Sequence, residues 1–315
     1  LLASSAASDV YKRQTYGRKE GEFKSWGDKL EKPSTYNPLD FFQTGFNTMN
    51  SIAVSTGTET NQTHISFGAV NSEGIIDNNK YNRYNFTFRN SWDIVKNVLS
   101  MDMGLFYIKQ NNQNSNGQGM YYNPLVPIYL FPPSDDINKY AVYERYDADR
   151  NFKTQYWPYG NQGLGMQNPY WIINRNMFNT DRDRYIISLS MKWNITNWLN
   201  IIGRARIDNA YTDFERKLYA STDGLFAKSQ GNYMNQEDKN TSTYLDFLVN
   251  VDKKFGENYH LLVNLGGSFY DEKYKSDTFE GNLVGVPNFF HPSNIPSTES
   301  NYNKSELPVS YTHLT

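Results

Sequence analysis

The stretch at residues 185–207, YIISLSMKWNITNWLNIIGRARI, decides the fold of this chain. Its first half carries five large apolar side chains on alternate positions: Tyr185, Ile187, Leu189, Met191 and Trp193. Most residues between them are polar, and the same alternation resumes from Leu199 after a short NITN turn. Alternation with a period of two predicts two β-strands, each with one apolar and one polar face, joined by a tight turn.

Period-two alternation extends over most of the chain and predicts eight strands. We place them at 49–57, 61–70, 80–91, 98–110, 182–194, 198–212, 241–253 and 258–271. A strand of a soluble protein averages about five or six residues, whereas a tilted membrane strand needs about nine to eleven. The length of the predicted strands therefore favours a membrane.

The connections between these strands alternate in length. Short turns fall at 58–61, 92–97, 194–197 and 255–258, and the longest predicted loops cover 111–180, 213–240 and 272–308. Aromatic residues gather near the short turns at Trp92, Trp193, Trp198, Phe255 and Tyr259, and again toward the other end at Tyr185, Tyr211 and Phe269. Short turns at one end, long loops at the other and two aromatic girdles are typical of outer-membrane barrels. We therefore predict an all-β fold: an incomplete antiparallel transmembrane β-barrel, about eight strands of a larger one.

Composition excludes several other classes. The 315 residues carry a net charge of −2, which gives no electrostatic basis for binding nucleic acid. Because the sequence has no cysteine, it can form neither disulfides nor thiolate metal sites. It also has no run of about eighteen apolar residues that would predict a membrane-spanning helix.

Both ends of the sequence resemble translated sequencing adapter. One oligonucleotide, read on opposite strands, translates both as SSAASDVYKRQ at 4–14 and as VSYTHLT at 309–315. We therefore expect 1–14 and 309–315 to be adapter-like artefacts, and the remainder to be an internal fragment of a longer protein.

Several strings along the chain resemble the SusC/RagA group of TonB-dependent outer-membrane transporters. They are SWGDKL (25–30), NPLDFFQTGF (37–46), the segment 50–91, NPLVPIYLFP (123–132), YERYD (143–147), QYWPYG (155–160), NPYWIINRN (168–176) and VPNFF (286–290). The similarity covers nearly all of 15–307. It implies a plug-to-barrel junction at 15–48 and, at 49–308, roughly the first third of a large plugged barrel.

The resemblance also implies a function and partners. The expected role is import of glycans or other oligomeric nutrients across the outer membrane of a Gram-negative bacterium, without enzymatic chemistry or a cofactor. The expected partners are outer-membrane lipid, a SusD-like surface lipoprotein, an oligosaccharide or peptide ligand and the TonB energy-coupling complex. TonB would act through the N-terminal part that this fragment lacks.

The long loop at 111–180 is the best candidate for ligand contact. It combines amide side chains with aromatic rings, which can stack on sugars or apolar ligand surfaces. The predicted ligand-binding residues are Tyr121, Tyr122, Tyr156, Trp157, Tyr159, Tyr170 and Trp171. The same rings could instead pack the loop against itself or against a partner protein, and different rings could do different jobs.

No catalytic or metal site is predicted. DADRN at 147–151 begins like a calcium-binding loop, but Phe152 replaces the required glycine and Pro158 replaces the final glutamate. His64 and His260 fall on lumen-facing positions without a metal-binding spacing.

Two readings from other classes remain open at this point. A soluble secreted all-β protein that binds or hydrolyses carbohydrate would hide its apolar faces between two sheets. A structural adhesin or passive porin would share the barrel but lack the plug. A membrane barrel instead requires a continuous apolar band on the outer face, about 25 Å tall.

Overall fold

The computed structural model describes residues 28–32, 37–115, 121–132, 135–161, 166–297 and 300–314. Nine strands form one antiparallel sheet in the order β1-β2-β3-β4-β7-β8-β9-β10-β11, and β5 and β6 form a separate hairpin. The strands are β1 (Phe46–Gly57), β2 (Asn61–Glu73), β3 (Lys80–Val95), β4 (Leu99–Gln113), β5 (Glu144–Asp147), β6 (Phe152–Gln155), β7 (Asn176–Asn194), β8 (Leu199–Tyr219), β9 (Gly231–Phe255), β10 (Tyr259–Asn282) and β11 (Ser300–Leu314). Two short α-helices, α1 (Leu125–Leu130) and α2 (Pro169–Arg175), lie in the long loop between β4 and β7.

All eight predicted strands are present, but several are longer than predicted. The largest extensions are at β8, which continues to Tyr219, and at β9, which begins at Gly231, so the loop between them covers only 220–230. The predicted loop at 272–308 likewise shrinks to 283–299. These strand ends carry mostly polar residues on both faces, as in GNYMNQEDKN at 231–240, so a period-two pattern of polarity could not reveal them.

A ninth strand, β11, was not predicted. It pairs with β10 from Gly281↔Ser300 to Gly267↔Leu314, and its last residues, 309–314, fall in the segment that the sequence analysis assigns to adapter. Its sequence contains a proline and no sustained alternation of apolar residues, which explains why the pattern did not predict it.

The sheet is a single open layer. Every pair of neighbouring strands in the sheet is antiparallel, and β1 and β11 form its two edges without pairing to each other. Within the described residues no second sheet covers either face, because the only other strands are the four-residue pair β5 and β6. The prediction of an incomplete antiparallel transmembrane barrel is confirmed, and the sandwich expected of a soluble all-β protein is not present in this part of the chain.

One face of this sheet exposes rows of large apolar side chains. Leu189 lies directly between Met103 on β4 and Ala205 on β8, and Ile187 lies between Leu105 and Ile207. Ile187 is 46% exposed and Trp193 is 51% exposed, although both lie in the middle strands of the sheet. The nine residues from Tyr185 to Trp193 span about 26 Å along the strand at 3.3 Å per residue. Such exposure suits hydrocarbon as the solvent for this face.

Aromatic residues mark both borders of the apolar face. Tyr84, Tyr107, Tyr185 and Tyr211 lie in two adjacent rows toward the long loops, and Trp92, Trp193, Phe255 and Tyr259 lie toward the short turns. The Lys253 Nζ lies 4.2 Å from the centre of the Trp198 ring. Phe269 differs from the prediction, because it pairs with Leu245 at the level of Leu189, in the middle of the band.

Most buried hydrophobic residues lie in the loops or, like Leu218 and Tyr233, at the long-loop ends of the strands. One cluster joins Phe41, Ile76, Ile128 and Ile173, a second joins Phe131, Ile137, Tyr140 and Tyr159, and a third joins Tyr233, Leu283 and Ile295. These clusters cap the long-loop end of the sheet and hold the connections in fixed positions. Among the described residues, no helix is long and apolar enough to cross a membrane.

Candidate functional site

The polar face of the sheet, which would line the lumen of the closed barrel, is the first candidate site. The register places Ser55, His64 and Arg89 side by side on β1, β2 and β3. The same row continues across Gly104 and Ser188 to Arg206 on β8. His64 and His260 both lie on this face, as predicted, where His64 Nδ1 is 2.9 Å from Ser55 Oγ and His260 Nε2 is 2.5 Å from Asp252 Oδ1.

Ion pairs join neighbouring strands along this face. Arg89 Nη2 donates to Asp102 Oδ2 at 3.0 Å, and Arg204 Nε donates to Asp246 Oδ1 at 2.8 Å. Each pair crosses from one strand to the next, so it satisfies a carboxylate and fixes the local position of the arginine. Because the arginine side chains remain 61% and 54% exposed, respectively, their guanidinium groups can still meet a solute.

A second charged cluster contains two arginines and one carboxylate. Arg184 donates to Asp208 through Nε at 2.7 Å and through Nη2 at 2.6 Å, which is a bidentate pair. Arg206 Nη2 donates to the same Asp208 Oδ2 at 3.0 Å. The cluster therefore carries one positive charge that its own carboxylate does not balance.

Two cavities lie on the lumen face near the short turns. The larger, about 590 Å³, is lined by hydroxyl side chains together with Gln62, His64 and Arg89. The second, about 310 Å³, includes Asp102, Ser190 and Lys192 in its lining. Hydroxyls and an amide line both, and the smaller also contains the carboxylates of Glu59, Asp93 and Asp102, so both are suited to polar solutes rather than to apolar ones.

The long loop forms a small packed unit around Asp135, the second candidate site. The Asp135 carboxylate accepts hydrogen bonds from Tyr140 Oη and Tyr159 Oη, both at 2.6 Å, and from Lys139 Nζ at 2.9 Å. Burial raises the pKa of this carboxyl, but these three donors and the backbone N–H of Asp136 outweigh burial and lower the pKa to about 2. The pKa of Tyr159 is raised by burial and by its bond to Asp135. The loop thus has a fixed, hydrogen-bonded interior.

Asn168 organises the other half of the loop. Its side-chain oxygen caps helix α2 by accepting from Tyr170 N at 2.9 Å, and Pro169 follows at the first helical position. Its Nδ2 donates to the backbone oxygens of Tyr140, at 2.8 Å, and Tyr156, at 3.0 Å. Since Asn168 is fully buried, these bonds replace those it would make to water.

Side-chain bonds tie the loop to the β8–β9 connection. Trp171 Nε1 donates to Thr222 Oγ1 at 3.1 Å, and this hydroxyl donates to Asn176 Oδ1 at 2.8 Å. Gln155 Nε2 donates to the Ser221 carbonyl oxygen at 3.0 Å. The two connections therefore form one surface above the lumen.

The seven aromatic residues predicted to bind ligand fall into two groups. Tyr159 and Trp171 are 2% and 1% exposed, so their rings pack inside the loop. Tyr156 is partly buried, and its ring lies between Tyr140 and the guanidinium of Arg145, 3.3 Å away. The other four are also partly buried: Tyr121, Tyr122, Trp157 and Tyr170.

Those four rings retain some exposed surface but also contact neighbouring side chains. Tyr121 and Tyr122 both pack on Phe226, with ring centres 4.7 and 4.9 Å away. Burial raises the pKa of Tyr122 to about 12. Trp157 Nε1 donates to the Gly160 carbonyl oxygen at 3.1 Å. Ligand contact by the partly exposed rings remains a prediction.

The segment DADRN at 147–151 forms the turn between β5 and β6. Asp147 Oδ1 accepts from the backbone nitrogens of Asp149, at 3.1 Å, and Arg150, at 3.2 Å, so this oxygen is used by the turn itself. Asn151 adopts a positive φ of 59°, which asparagine tolerates. Among the residues that the structure describes, no group of three or more His, Asp or Glu side chains could hold a metal ion.

The charged row on the lumen face was not singled out from the sequence as a site. The alternation correctly assigns Arg204, Arg206 and Asp208 to the polar face, but it does not indicate their partners. Arg89 meets Asp102, and Arg184 meets Asp208, only because of the strand register. The one feature of the sequence that could have indicated this charged row is the pair of arginines at alternate positions of GRARID.

Comparison with solved structures gives a clear likeness. The RagAB peptide importer in its closed-closed state matches 88% of this chain and 30% of its own, with a TM-score of 0.64 and 15% sequence identity. The same importer in its open-open state matches 96% of this chain and 33% of its own, with a TM-score of 0.63 and 16% identity. The chain thus spans about a third of the length of the structures it matches. No protein-family model and no curated protein matches the sequence.

The likeness in structure at this level of identity concerns the fold. It agrees with the single-layer sheet, its exposed apolar face and its alternating turns and loops, all of which are present in the described residues. The chain therefore has the fold of an outer-membrane transporter barrel, of which it forms an incomplete part.

Proposed function

We propose that this chain is part of an outer-membrane, TonB-dependent importer of oligomeric nutrients, either glycans or peptides. The observation that carries the proposal is the sidedness of the sheet. One face exposes rows of Leu, Ile, Met and aromatic residues, and the other bears ion pairs and polar cavities. A wall between lipid and a water-filled lumen needs this arrangement.

The similar fold of the RagAB peptide importer supports the importer over the two other classes. A soluble carbohydrate-binding or hydrolytic protein would leave the apolar rows of β4, β7 and β8 in water, which costs roughly 25 cal/mol per Å² of apolar surface. A structural adhesin or passive porin would share the wall but would need no energy coupling. The location that follows is the outer membrane of a Gram-negative bacterium.

The surface loops would receive the cargo. We assign ligand contact to the four partly exposed rings Tyr121, Tyr122, Trp157 and Tyr170, and a framework role to Tyr156, Tyr159 and Trp171. Aromatic faces and nearby amides suit both sugars and peptide side chains. A SusD-like surface lipoprotein would close over these loops, and the TonB complex would act through the N-terminal part of the full protein.

Uptake in cells that carry the full-length gene tests this function. Deletion of the gene should abolish accumulation of fluorescent oligosaccharides or oligopeptides too large for passive pores, and removal of the TonB complex should do the same. Tyr122→Ala and Trp157→Ala should weaken capture, whereas Val142→Ala, a change at an exposed loop residue, serves as the control. Uptake that persists without TonB would contradict an energy-coupled importer and favour a passive porin.

A further inference from the structure

The lumen row between β3 and β8 contains a recess flanked by two arginines. Arg89 on β3 and Arg206 on β8 lie in one row, and only Gly104 and Ser188 separate them. Three strand spacings place their Cα atoms about 14 Å apart. We call this group of four residues the arginine recess.

Gly104 lets the Ser188 hydroxyl and the Phe106 ring lie close over the backbone between the two arginines. A Cβ added at Gly104 would lie 2.7 Å from Ser188 Oγ and 3.2 Å from the ring of Phe106. The Ser188 hydroxyl and the edge of the Phe106 ring therefore occupy the space that a larger side chain would need. The result is a shallow surface with one hydroxyl and one aromatic edge between two cations.

The recess has more positive charge than its own carboxylates balance. Asp208 is shared between Arg184 and Arg206, so one of these two cations has no carboxylate of its own within the cluster. Arg206 is 52% exposed and uses only Nη2 in the pair, which leaves its other N–H groups for a solute. Arg89, paired with Asp102, is also 61% exposed.

Two polar cavities lie beside the Arg89 end of the recess. The larger cavity reaches Arg89 from the side of His64, and the smaller one lies toward the short turns at Asp102, Ser190 and Lys192. A group bound at Arg89 would thus have room for the adjoining part of an oligomer in these cavities. This suits one charged unit of an oligomer rather than a compact ion.

From these observations we propose that the arginine recess binds carboxylate groups of the cargo as it passes through the lumen. Carboxylates accept paired hydrogen bonds from guanidinium groups, and a nearby hydroxyl donates a further bond. The inference rests on the proposed import function and narrows its substrate class to oligomers that bear carboxylates. Acidic peptides and uronate-containing glycans both supply this group.

The test measures binding to the full-length protein, purified in detergent, with four probes of known charge. They are an acidic hexapeptide, the same peptide with every carboxyl amidated, a trigalacturonate and a neutral trisaccharide. Arg206→Gln should weaken binding of the carboxylate probes about fivefold, the range of a half-exposed charged contact. It should leave the neutral probes unchanged, and added salt should reduce the difference.

Arg182→Gln is the matched control. Arg182 lies on the same lumen face, is exposed and has no hydrogen-bond or ion-pair partner among the described residues, but it sits three rows nearer the long loops. Arg182→Gln therefore removes the same positive charge as Arg206→Gln, but outside the recess. Gly104→Ala displaces the Ser188 hydroxyl without changing charge and should also weaken binding of the carboxylate probes. Ser188→Ala removes the same hydroxyl without steric conflict and should have a similar effect.

Equal losses in Arg206→Gln and Arg182→Gln would overturn the proposal, because the lumen would then act only through its general potential. The proposal also fails if Arg206→Gln leaves all affinities unchanged and instead makes the barrel leaky, because the recess would then hold another part of the protein. If trigalacturonate alone responds, the carboxylates come from glycans; if the acidic peptide alone responds, they come from peptides. TonB-dependent uptake of neutral oligomers, with no effect of Arg206→Gln, would remove this inference and leave the importer standing.

Discussion

The wall of the barrel and the long loop are stabilised in different ways. The middle strands of the wall, such as β7, have no buried side chain in the span Tyr185–Trp193; their apolar residues stay exposed on one face. The loop buries Phe131, Tyr159 and Trp171 almost completely, as a small soluble domain would. The wall depends on its hydrogen-bonded ladder and on lipid, whereas the loop depends on packing. We therefore expect mutations in one region to destabilise that region without destabilising the other.

The largest effect is expected from Trp171→Ala in the loop. It removes a ring that is 1% exposed and leaves the Thr222 hydroxyl without its indole donor, at a local cost of about 3–5 kcal/mol. Limited proteolysis of intact cells should show rapid cleavage within 121–175. The wall should still assemble, because no strand pairing involves Trp171.

Trp171→Phe is the control for this change, since it keeps most of the ring and loses only the hydrogen bond. Loss of barrel assembly in Trp171→Ala, measured by heat-modifiable migration in gels, would show that the two regions are not separable.

A smaller effect, confined to the wall rather than the loop, is expected from Leu189→Arg. Leu189 lies in the middle of the apolar face, where a cation costs about 2–4 kcal/mol in a bilayer. Denaturant unfolding of the full-length protein in lipid should show this loss. The neighbouring Ser190→Arg, which adds the same charge on the lumen face, should cost much less. Equal losses of unfolding free energy at the two positions would contradict the assignment of one face to lipid and the other to the lumen.

The wall was largely predictable from the sequence, and the loop was not. Polarity alternates along β4, β7 and β10 because their two faces meet different solvents, so a period of two shows directly in the sequence. The outer parts of β8 and β9 carry mostly polar residues and pack partly against the loops, as at Leu218 and Tyr233, so they carry no such signal. In the loop, the aromatic residues were recognised, but which of them would be buried depends on distant partners. Trp171 meets Thr222, and Asn174 meets Asn78, across separations that composition does not indicate.

An intermediate effect is expected from Asp135→Asn, which replaces the shared acceptor of the loop with a neutral amide. It should cost about 1–3 kcal/mol at neutral pH, since hydrogen bonds to a charged group are stronger. Hydrogen exchange of the loop amides would measure it.

The pH dependence of the same loop follows from the lowered pKa of Asp135. The folded carboxyl has a pKa of about 2, below its usual value, so the unfolded loop binds the proton more tightly. The stabilisation is therefore present above about pH 4 and lost as the pH falls toward 2. Asp135→Asn should flatten the loop profile in this range. An unchanged acid profile in the variant would show that another group controls the loop.

The smallest effect is expected at a short turn of the wall. Asn97 has a φ of +62°, and its carbonyl oxygen accepts from Asn194 Nδ2 at 2.9 Å. Asn97→Ala should cost about 1 kcal/mol because alanine lacks the short polar side chain that lets asparagine tolerate a positive φ, whereas Asn97→Gly should be close to neutral. Unfolding of the full-length protein in lipid would measure both. A larger loss for glycine than for alanine would contradict the turn geometry.

Solvent accessibility along 185–193 tests the central claim most directly. This chain has no cysteine of its own, so single cysteines can be placed at each of these positions in the full-length protein and spin-labelled in a lipid bilayer. Collisions with oxygen, which concentrates in hydrocarbon, should peak at 185, 187, 189, 191 and 193. Collisions with a water-soluble nickel reagent should peak at the positions between them. Uniform accessibility, or the opposite alternation, would contradict a wall that separates lipid from a polar lumen.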